Sequence, residues 1–180
     1  IVGSQWILTL CGLMNQSYER DRSLDMGVEI ERKFLIRDES WRSDAGEGTV
    51  YRQGYLSVEP ERTVRVRVAG DKGFLTVKGK NEGAVRAEFE YEIPVSEASE
   101  LLDSLALQPT IAKKRYKIQF GKYVFEVDEF TERNEGLVVV EVELESAYAV
   151  FERPKWLGKE VTEDTRYFNA NLVESPFDTW

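Results

Sequence analysis

Residues Glu29-Ile30-Glu31-Arg32-Lys33-Phe34 alternate with the two-residue period of a β-strand. Glu29, Glu31 and Lys33 fall on one face, and Val28, Ile30 and Phe34 on the other. A strand face with two carboxylates and an ammonium is unusual, although a single such strand is accounted for by simple solvation. The pattern recurs along the chain. Thr63 to Ala69 sets Val64, Val66 and Val68 against Arg65 and Arg67. Phe74 to Lys80 ends with Lys78 and Lys80 two apart, and Val85 to Ile93 opposes Phe89, Tyr91 and Ile93 to Arg86, Glu88, Glu90 and Glu92. Ile111 to Phe120 carries Lys113, Arg115 and Lys117 on one face. Tyr123 to Phe130 sets Phe125 and Val127 against Glu126 and Asp128. Leu137 to Glu145 sets Val138, Val140, Val142 and Leu144 against Glu141, Glu143 and Glu145. A further segment, Val50 to Val58, holds Arg52, Gly54 and Tyr55.

Turn-forming residues separate these runs at Glu59-Pro60-Glu61, Gly70-Asp71-Lys72-Gly73, Asn81-Glu82-Gly83 and Gly121-Lys122, which predicts antiparallel hairpins. Only Ser96 to Leu107 takes a clear helical period, through Leu101, Leu102 and Leu105, with a cap region at Ser96 and a stop at Pro109. Short helices are expected over Ser146 to Arg153 and Thr165 to Leu172. About eight strands is the number at which an antiparallel sheet closes into a small barrel. The predicted class is therefore α+β, mainly β: a closed eight-stranded antiparallel β-barrel with a few flanking helices.

Such a sheet has two ways to face. Its apolar faces can point inward with the charges solvated, or its charged faces can line a chamber. Carboxylates dominate the first, fifth, seventh and eighth strands, and Arg and Lys the third, fourth and sixth. Like charges side by side on one sheet are costly unless a counterion bridges them. An anion would relieve Arg65 with Arg67, Lys78 with Lys80, and Lys113 with Arg115; a divalent cation would relieve Glu29 with Glu31 and Glu141 with Glu143. A polyphosphate chelated to Mg²⁺ or Mn²⁺ meets both needs, and this favours the charged lumen. In an empty lumen the basic wall is expected to repel itself, so that neutralising one member costs little stability.

Composition narrows the chemistry. The 180 residues contain no histidine and one cysteine, Cys11, with 42% hydrophobic and 32% charged residues and a formal charge of −9. Histidine-based nucleophilic catalysis and Cys-rich zinc sites are excluded, and oxygen ligands suit hard cations. The negative charge argues against a nucleic-acid partner, and no apolar run reaches transmembrane length. A cytoplasmic protein binding a small anion is expected, with an outer apolar wall that helices or a second copy, in a homodimer, would cover. Residues 1–25 read as an extension upstream of Met26 and outside the fold, which is assigned to 26–175. A docked helix and a degraded signal peptide are the alternative readings of that extension.

The sequence Glu29-Ile30-Glu31-Arg32-Lys33 matches the ExExK signature of the triphosphate tunnel metalloenzymes, or CYTH superfamily. It is followed in order by Arg52-Gln53-Gly54-Tyr55-Leu56, Val64-Arg65-Val66-Arg67, Thr76-Val77-Lys78-Gly79, Glu88-Phe89-Glu90-Tyr91-Glu92, Lys113-Lys114-Arg115-Tyr116, Phe125-Glu126-Val127-Asp128, Val140-Glu141-Val142-Glu143 and Gly158-Lys159-Glu160-Val161-Thr162. The chain resembles the short bacterial members similar to inorganic triphosphatases. That resemblance implies a tunnel with a polar lumen and hydrolysis of tripolyphosphate to pyrophosphate and phosphate. It implies Mg²⁺ or Mn²⁺ held among Glu29, Glu31, Glu88, Glu90, Asp128, Glu141 and Glu143. Phosphate contacts would come from Lys33, Arg52, Arg65, Arg67, Lys78, Lys80, Arg86, Lys113 and Arg115, and catalytic roles fall to Lys33, Glu90 and Asp128. Related members often carry a lysine in the C-terminal helix, where this chain reads Asn169-Ala170-Asn171, a departure that weakens the case for a phosphate ligand from that helix. Class IV adenylyl cyclases and thiamine triphosphatases share the resemblance as alternative enzymes. A noncatalytic binder of polyphosphate or nucleotide is the alternative of a different class.

Overall fold

The computed structural model describes residues 28–80, 85–146 and 148–180, with the side chains of 28, 29, 85 and 86 excepted. The expectation for residues 1–25 lies outside the described residues. Within them, nine antiparallel strands form one sheet: β1 (Val28–Ile36), β2 (Thr49–Ser57), β3 (Arg62–Ala69), β4 (Lys72–Gly79), β5 (Val85–Ile93), β6 (Ile111–Phe120), β7 (Tyr123–Phe130), β8 (Val138–Glu143) and β9 (Leu157–Glu160). The order is β5-β4-β3-β2-β6-β7-β8-β1-β9, and β5 also pairs with β1. Neighbours in the chain pair as hairpins from β2 to β5 and from β6 to β8, as the turn signals require.

The expected closed eight-stranded barrel is corrected on two points. There is a ninth strand, and the sheet is not closed into a barrel: β5 meets β1 over only three residue pairs, Val28↔Ala87, Glu29↔Arg86 and Ile30↔Val85, rather than along its length. The reason lies in how β1 uses its edges. Residues Glu31 to Leu35 pair with β8, while Phe34 and Ile36 pair with β9 on the other side. The short strand β9 thus takes the stretch of edge that β5 leaves.

Period-two alternation sorts the side chains as the sequence predicts. Phe34, Phe125, Val127, Val140 and Val142 point to the outer face and pack with Trp41, Trp156 and Leu157. Phe125 meets the Trp156 ring edge-on at 5.7 Å between centroids, and Trp41 meets Tyr116 at 5.1 Å, arrangements favoured by the ring quadrupoles. Trp41 reaches this layer from a 3₁₀ turn, Glu39–Ser43, capped by the Asp38 side chain.

A second outer layer lies under helix α1 (Val95–Ser104), where Ala98 and Leu102 bury against Val66. The helix starts after Pro94, with no side-chain cap, and it ends before Leu105, which is exposed. The expected cap at Ser96 and inward face at Leu105 are therefore corrected. Residues 146 and 148–153 are not helical. The C-terminal segment contains a 3₁₀ turn, Thr165–Tyr167, and a single-turn helix α2 (Asn171–Glu174) in place of one helix.

That C-terminal segment covers one end of the sheet's inner face. Leu172 and Val173 bury against Tyr55, Ile111, Phe130, Leu137 and Val139. Ile111, Phe130 and Val139 share a face with Lys113, Asp128 and Glu141 respectively, so these apolar residues form the floor of the charged lumen.

Gly158 sets how closely β9 approaches β1. A Cβ there would lie 2.8 Å from the Leu35 carbonyl oxygen and 2.9 Å from Ile36 backbone atoms. Gly158→Ala is expected to lower stability by about 1–3 kcal/mol, because backbone cannot yield as a side chain does. A thermal melt matching the wild type would show that β9 is not held this tightly.

Candidate active site

The inner face of the sheet bounds a cavity of about 590 Å³. Its walls carry Glu31, Lys33, Arg65, Arg67, Lys78, Glu88, Glu90, Arg115, Glu126, Glu141 and Glu143. These residues come from seven strands, β1 and β3 to β8, and each strand presents alternate residues to the cavity.

The register places opposite charges beside each other across neighbouring strands. Lys33 pairs with Glu141, Lys78 with Glu88, Arg115 with Asp128, and Lys117 with Glu126. The side chains follow. Lys33 Nζ donates to Glu141 Oε1 at 2.5 Å and also to Glu31. Arg115 donates from Nε to Asp128 Oδ1 at 2.6 Å and from Nη2 to Asp128 Oδ2 at 2.5 Å and Glu141 Oε2 at 2.6 Å; its Nη1 bonds Glu126. Lys113 shares Oδ2 of Asp128 with Arg115, and Asp128 is wholly buried. Lys78 pairs with Glu88.

A separate group forms around Glu90. It accepts from Thr76 Oγ1 at 2.7 Å, from Arg67 Nη2 at 2.9 Å and from Arg65 Nη2 at 3.3 Å. The expected self-repelling wall is thus corrected for Lys78, Lys113, Arg115 and Arg65. Carboxylates of the adjoining strands stand between the cations, which a face-by-face reading of single strands cannot show.

These arrangements fix the charge states. Burial pushes the Lys33 ammonium down, but Glu141 and Glu31 outweigh it and raise it above its ordinary range. Lys33 therefore acts as a permanent cation. Desolvation pushes the Glu141 carboxyl up, yet Lys33, Arg115 and Lys113 hold it well below the carboxylate range. The same balance, through Arg67, Thr76 and Arg65, keeps Glu90 below its ordinary value.

Two lumen cations go the other way. Burial, with Arg115 adjacent, pushes Lys113 down to about 8 despite Asp128. Burial and Arg65 lower Arg67. Arg67 is the less compensated arginine, flanked by the Tyr51 ring at 5.4 Å and the Phe74 ring at 5.1 Å.

Not every residue singled out from the sequence joins this group. Arg52 lies on the opposite face of β2 from Gln53 and pairs with Asp103 of α1 at 2.7 Å. Lys80 is exposed at the cavity rim. The side chains of Glu29 and Arg86 lie outside the described residues, although their backbones pair at the β1–β5 seam. Glu88, Glu90 and Asp128 are each held by basic groups instead of gathering into an acidic cluster. Among the described residues no three acidic groups stand ready as a metal cage.

The structure adds residues that the sequence reading did not place in the site. Thr76 and Glu126 lie two residues from Lys78 and Asp128, so the strand period would have included them. Tyr51, Tyr55 and Thr162 line the cavity and carry no charge to mark them. Asn169, Ala170 and Asn171 also line it. The Asn171 side chain is turned to the Thr165 carbonyl at 2.8 Å.

Comparison with known proteins agrees with this architecture. Residues 27–175 match the family model described as the CYTH domain. An inorganic triphosphatase of Acetivibrio thermocellus is 53% identical over 152 residues, which span 84% of this chain and 97% of that protein. An inorganic triphosphatase of Nitrosomonas europaea is 37% identical over 153 residues, 82% and 98% of the two chains. The crystal structure of an inorganic triphosphatase superposes with a TM-score of 0.57 at 35% identity, covering 81% of this chain and 93% of that one. A putative adenylate cyclase from Bacillus halodurans, at 17% identity and a TM-score of 0.54 over 68% and 84% of the two chains, shares the fold alone.

Proposed function

The chain belongs to the CYTH-domain family, and from that premise we propose that it is a divalent-metal-dependent hydrolase splitting inorganic tripolyphosphate into pyrophosphate and phosphate. The observation that carries this reading is the column of cations on one inner face: Lys33, Arg65, Arg67, Lys78, Lys113 and Arg115. Phosphoryl transfer asks mainly for alignment and charge neutralisation, and a linear polyanion can engage such a column along its length. The two relatives named inorganic triphosphatase support this substrate. In this reading the β1–β5 seam closes the sheet into a tunnel around the substrate.

The donor set fits a hard cation. Glu31 and Glu143 are register partners on the inner face, with Glu141 one position along that face, and all donors are oxygen. Mg²⁺ is commonly held by one or two carboxylates plus substrate phosphates, which accords with the lack of a complete cage among the described residues. Glu31, Glu143 and Glu29 would hold it. When bound, it would neutralise phosphate charge and polarise a phosphoryl oxygen.

The remaining roles belong to the chain. Arg65, Arg67 and Lys78 would spread over the non-bridging oxygens, exchanging Glu88 and Glu90 for phosphate. Glu90, ionised and fixed by Thr76, would orient a water. Its attack on the terminal phosphorus forms one P–O bond as the bridging P–O bond breaks. Pyrophosphate leaves, and the proton passes to a carboxylate. Asp128, fully engaged with Lys113 and Arg115, positions these cations.

Phosphate release from tripolyphosphate, ATP and thiamine triphosphate, measured side by side with Mg²⁺ and with Mn²⁺, tests the proposal. Fastest release from tripolyphosphate is expected, and none from any of the three would refute hydrolysis. Glu31→Gln keeps the size and removes one charge. Its activity is expected to fall roughly tenfold or more, one lost interaction of about 1.4 kcal/mol, and to need higher metal. An unchanged metal titration would remove Glu31 from the cation site.

A further inference from the structure

Gln53 of β2 is fully buried, and neither its amide nitrogen nor its amide oxygen has a hydrogen-bond partner. A primary amide offers two donors and an acceptor, and buried polar groups are nearly always satisfied. An apolar residue of equal size would fill the space without that penalty.

On one side Gln53 registers with Ile111, which has no side-chain polar atom. On the other its register partner is Arg67, whose Nε is likewise buried with no partner. Residues directly opposed in an antiparallel pair place their Cβ atoms about 4.5–5.5 Å apart on one face. The two side chains therefore stand side by side on the same face. At present Arg67 is drawn the other way, with Nη2 on both Glu90 oxygens at 2.9 Å.

We propose that Gln53 is the positioning residue for Arg67: its amide oxygen accepts the Arg67 Nε–H when triphosphate draws the guanidinium off Glu90. The phosphate competes with Glu90 for the same cation, and an arginine released from its carboxylate would otherwise swing freely. An acceptor at Nε sets the plane of the guanidinium and leaves both Nη groups to fork onto phosphate oxygens. A neutral acceptor suits this task, since a carboxylate in that place would hold the arginine and repel the substrate. The proposal rests on Arg67 gripping phosphate.

The test uses Gln53→Leu, Gln53→Met, Arg67→Ala and the double variant Gln53→Leu with Arg67→Ala. Steady-state kinetics on tripolyphosphate and the rise in Tm that tripolyphosphate produces in the presence of EDTA are the readouts. Gln53→Leu is expected to raise KM about tenfold and shrink the tripolyphosphate-induced rise, while the Tm of the empty protein holds or increases. In the double variant the Leu substitution should add nothing to the loss from Arg67→Ala. A KM within twofold of wild type in Gln53→Leu and Gln53→Met, or additive losses in the double variant, overturns the proposal. So does failure of both variants to fold, because the amide then serves the empty protein. If Arg67→Ala binds tripolyphosphate normally, the phosphate-gripping role of Arg67 falls and this inference with it; a silent Gln53→Leu beside a damaged Arg67→Ala sinks the inference alone.

Discussion

Arg115→Leu is expected to destabilise the empty protein by about 3–5 kcal/mol, the cost of leaving buried charge without its partner. Arg115 holds three carboxylates, Glu126, Asp128 and Glu141. With leucine in its place these acids keep, among the described residues, Lys33, Lys113 and Lys117 to share. Acid should narrow the difference between variant and wild type. In the wild type, Glu141 is held well below the ordinary carboxylate range. Its ionised form therefore stabilises the fold above that range, and the contribution is lost as pH falls through and below it. In the variant, protonation relieves the crowded acids instead. Denaturant titrations at neutral and acidic pH measure both effects. A loss below about 1 kcal/mol at neutral pH would mean that the other cations suffice and that Arg115 is no keystone of the lumen.

Arg67→Ala should behave in the opposite way. Burial and Arg65 already disfavour its charge, and Glu90 keeps Thr76 and Arg65 when it is gone. Stability is expected to change by less than about 1 kcal/mol, in the range of weakly coupled ion pairs. The kcat/KM for tripolyphosphate should fall roughly 10- to 150-fold, which corresponds to about 1.5–3 kcal/mol for a lost hydrogen bond to a charged group. Tripolyphosphate should also raise the Tm of the variant less than that of the wild type. An unfolded Arg67→Ala whose surviving fraction turns over normally would make this arginine a structural partner and remove it from the phosphate wall.

The contrast between these arginines, two strands apart on one inner face, marks what the sequence reveals and where it stops. Strand identity was legible because the period-two pattern is strong: β5, β6 and β7 have the bounds that alternation predicts. The same alternation put Lys33, Arg65, Arg67, Lys78 and Glu141 on the charged faces of their strands, and the cost of unbridged like charges pointed those faces inward. Register was not legible. Whether Arg115 faces Asp128 or another arginine depends on which residues lie opposite across a hairpin, and a shift along the strand would change it. For that reason single strands suggested a repelling wall where the sheet builds an alternating one.

β9 was hidden for another reason. Leu157-Gly158-Lys159-Glu160 is four residues long and contains a glycine, so it carries the local signature of a turn. It becomes a strand because tertiary contact with β1 admits only glycine at its second position. Arg52 shows the converse error: its charge suggested the lumen, but the Gln53 and Tyr55 periodicity assigns it outward, to Asp103. Gln53 itself lacked any charge to single it out.

Leu172 and Val173, seated on Tyr55, Ile111, Phe130 and Val139, would make a blind alley of the tunnel proposed above. A blind alley has a last parking place. Whatever entered would do so end-first and back out the way it came, so a polymer would not be threaded through and cut at leisure along its length. In the proposed reaction the protein would handle long phosphate chains only by their tips. The depth of the alley, and not recognition of any particular group, would decide how many phosphates lie beyond the point of cleavage.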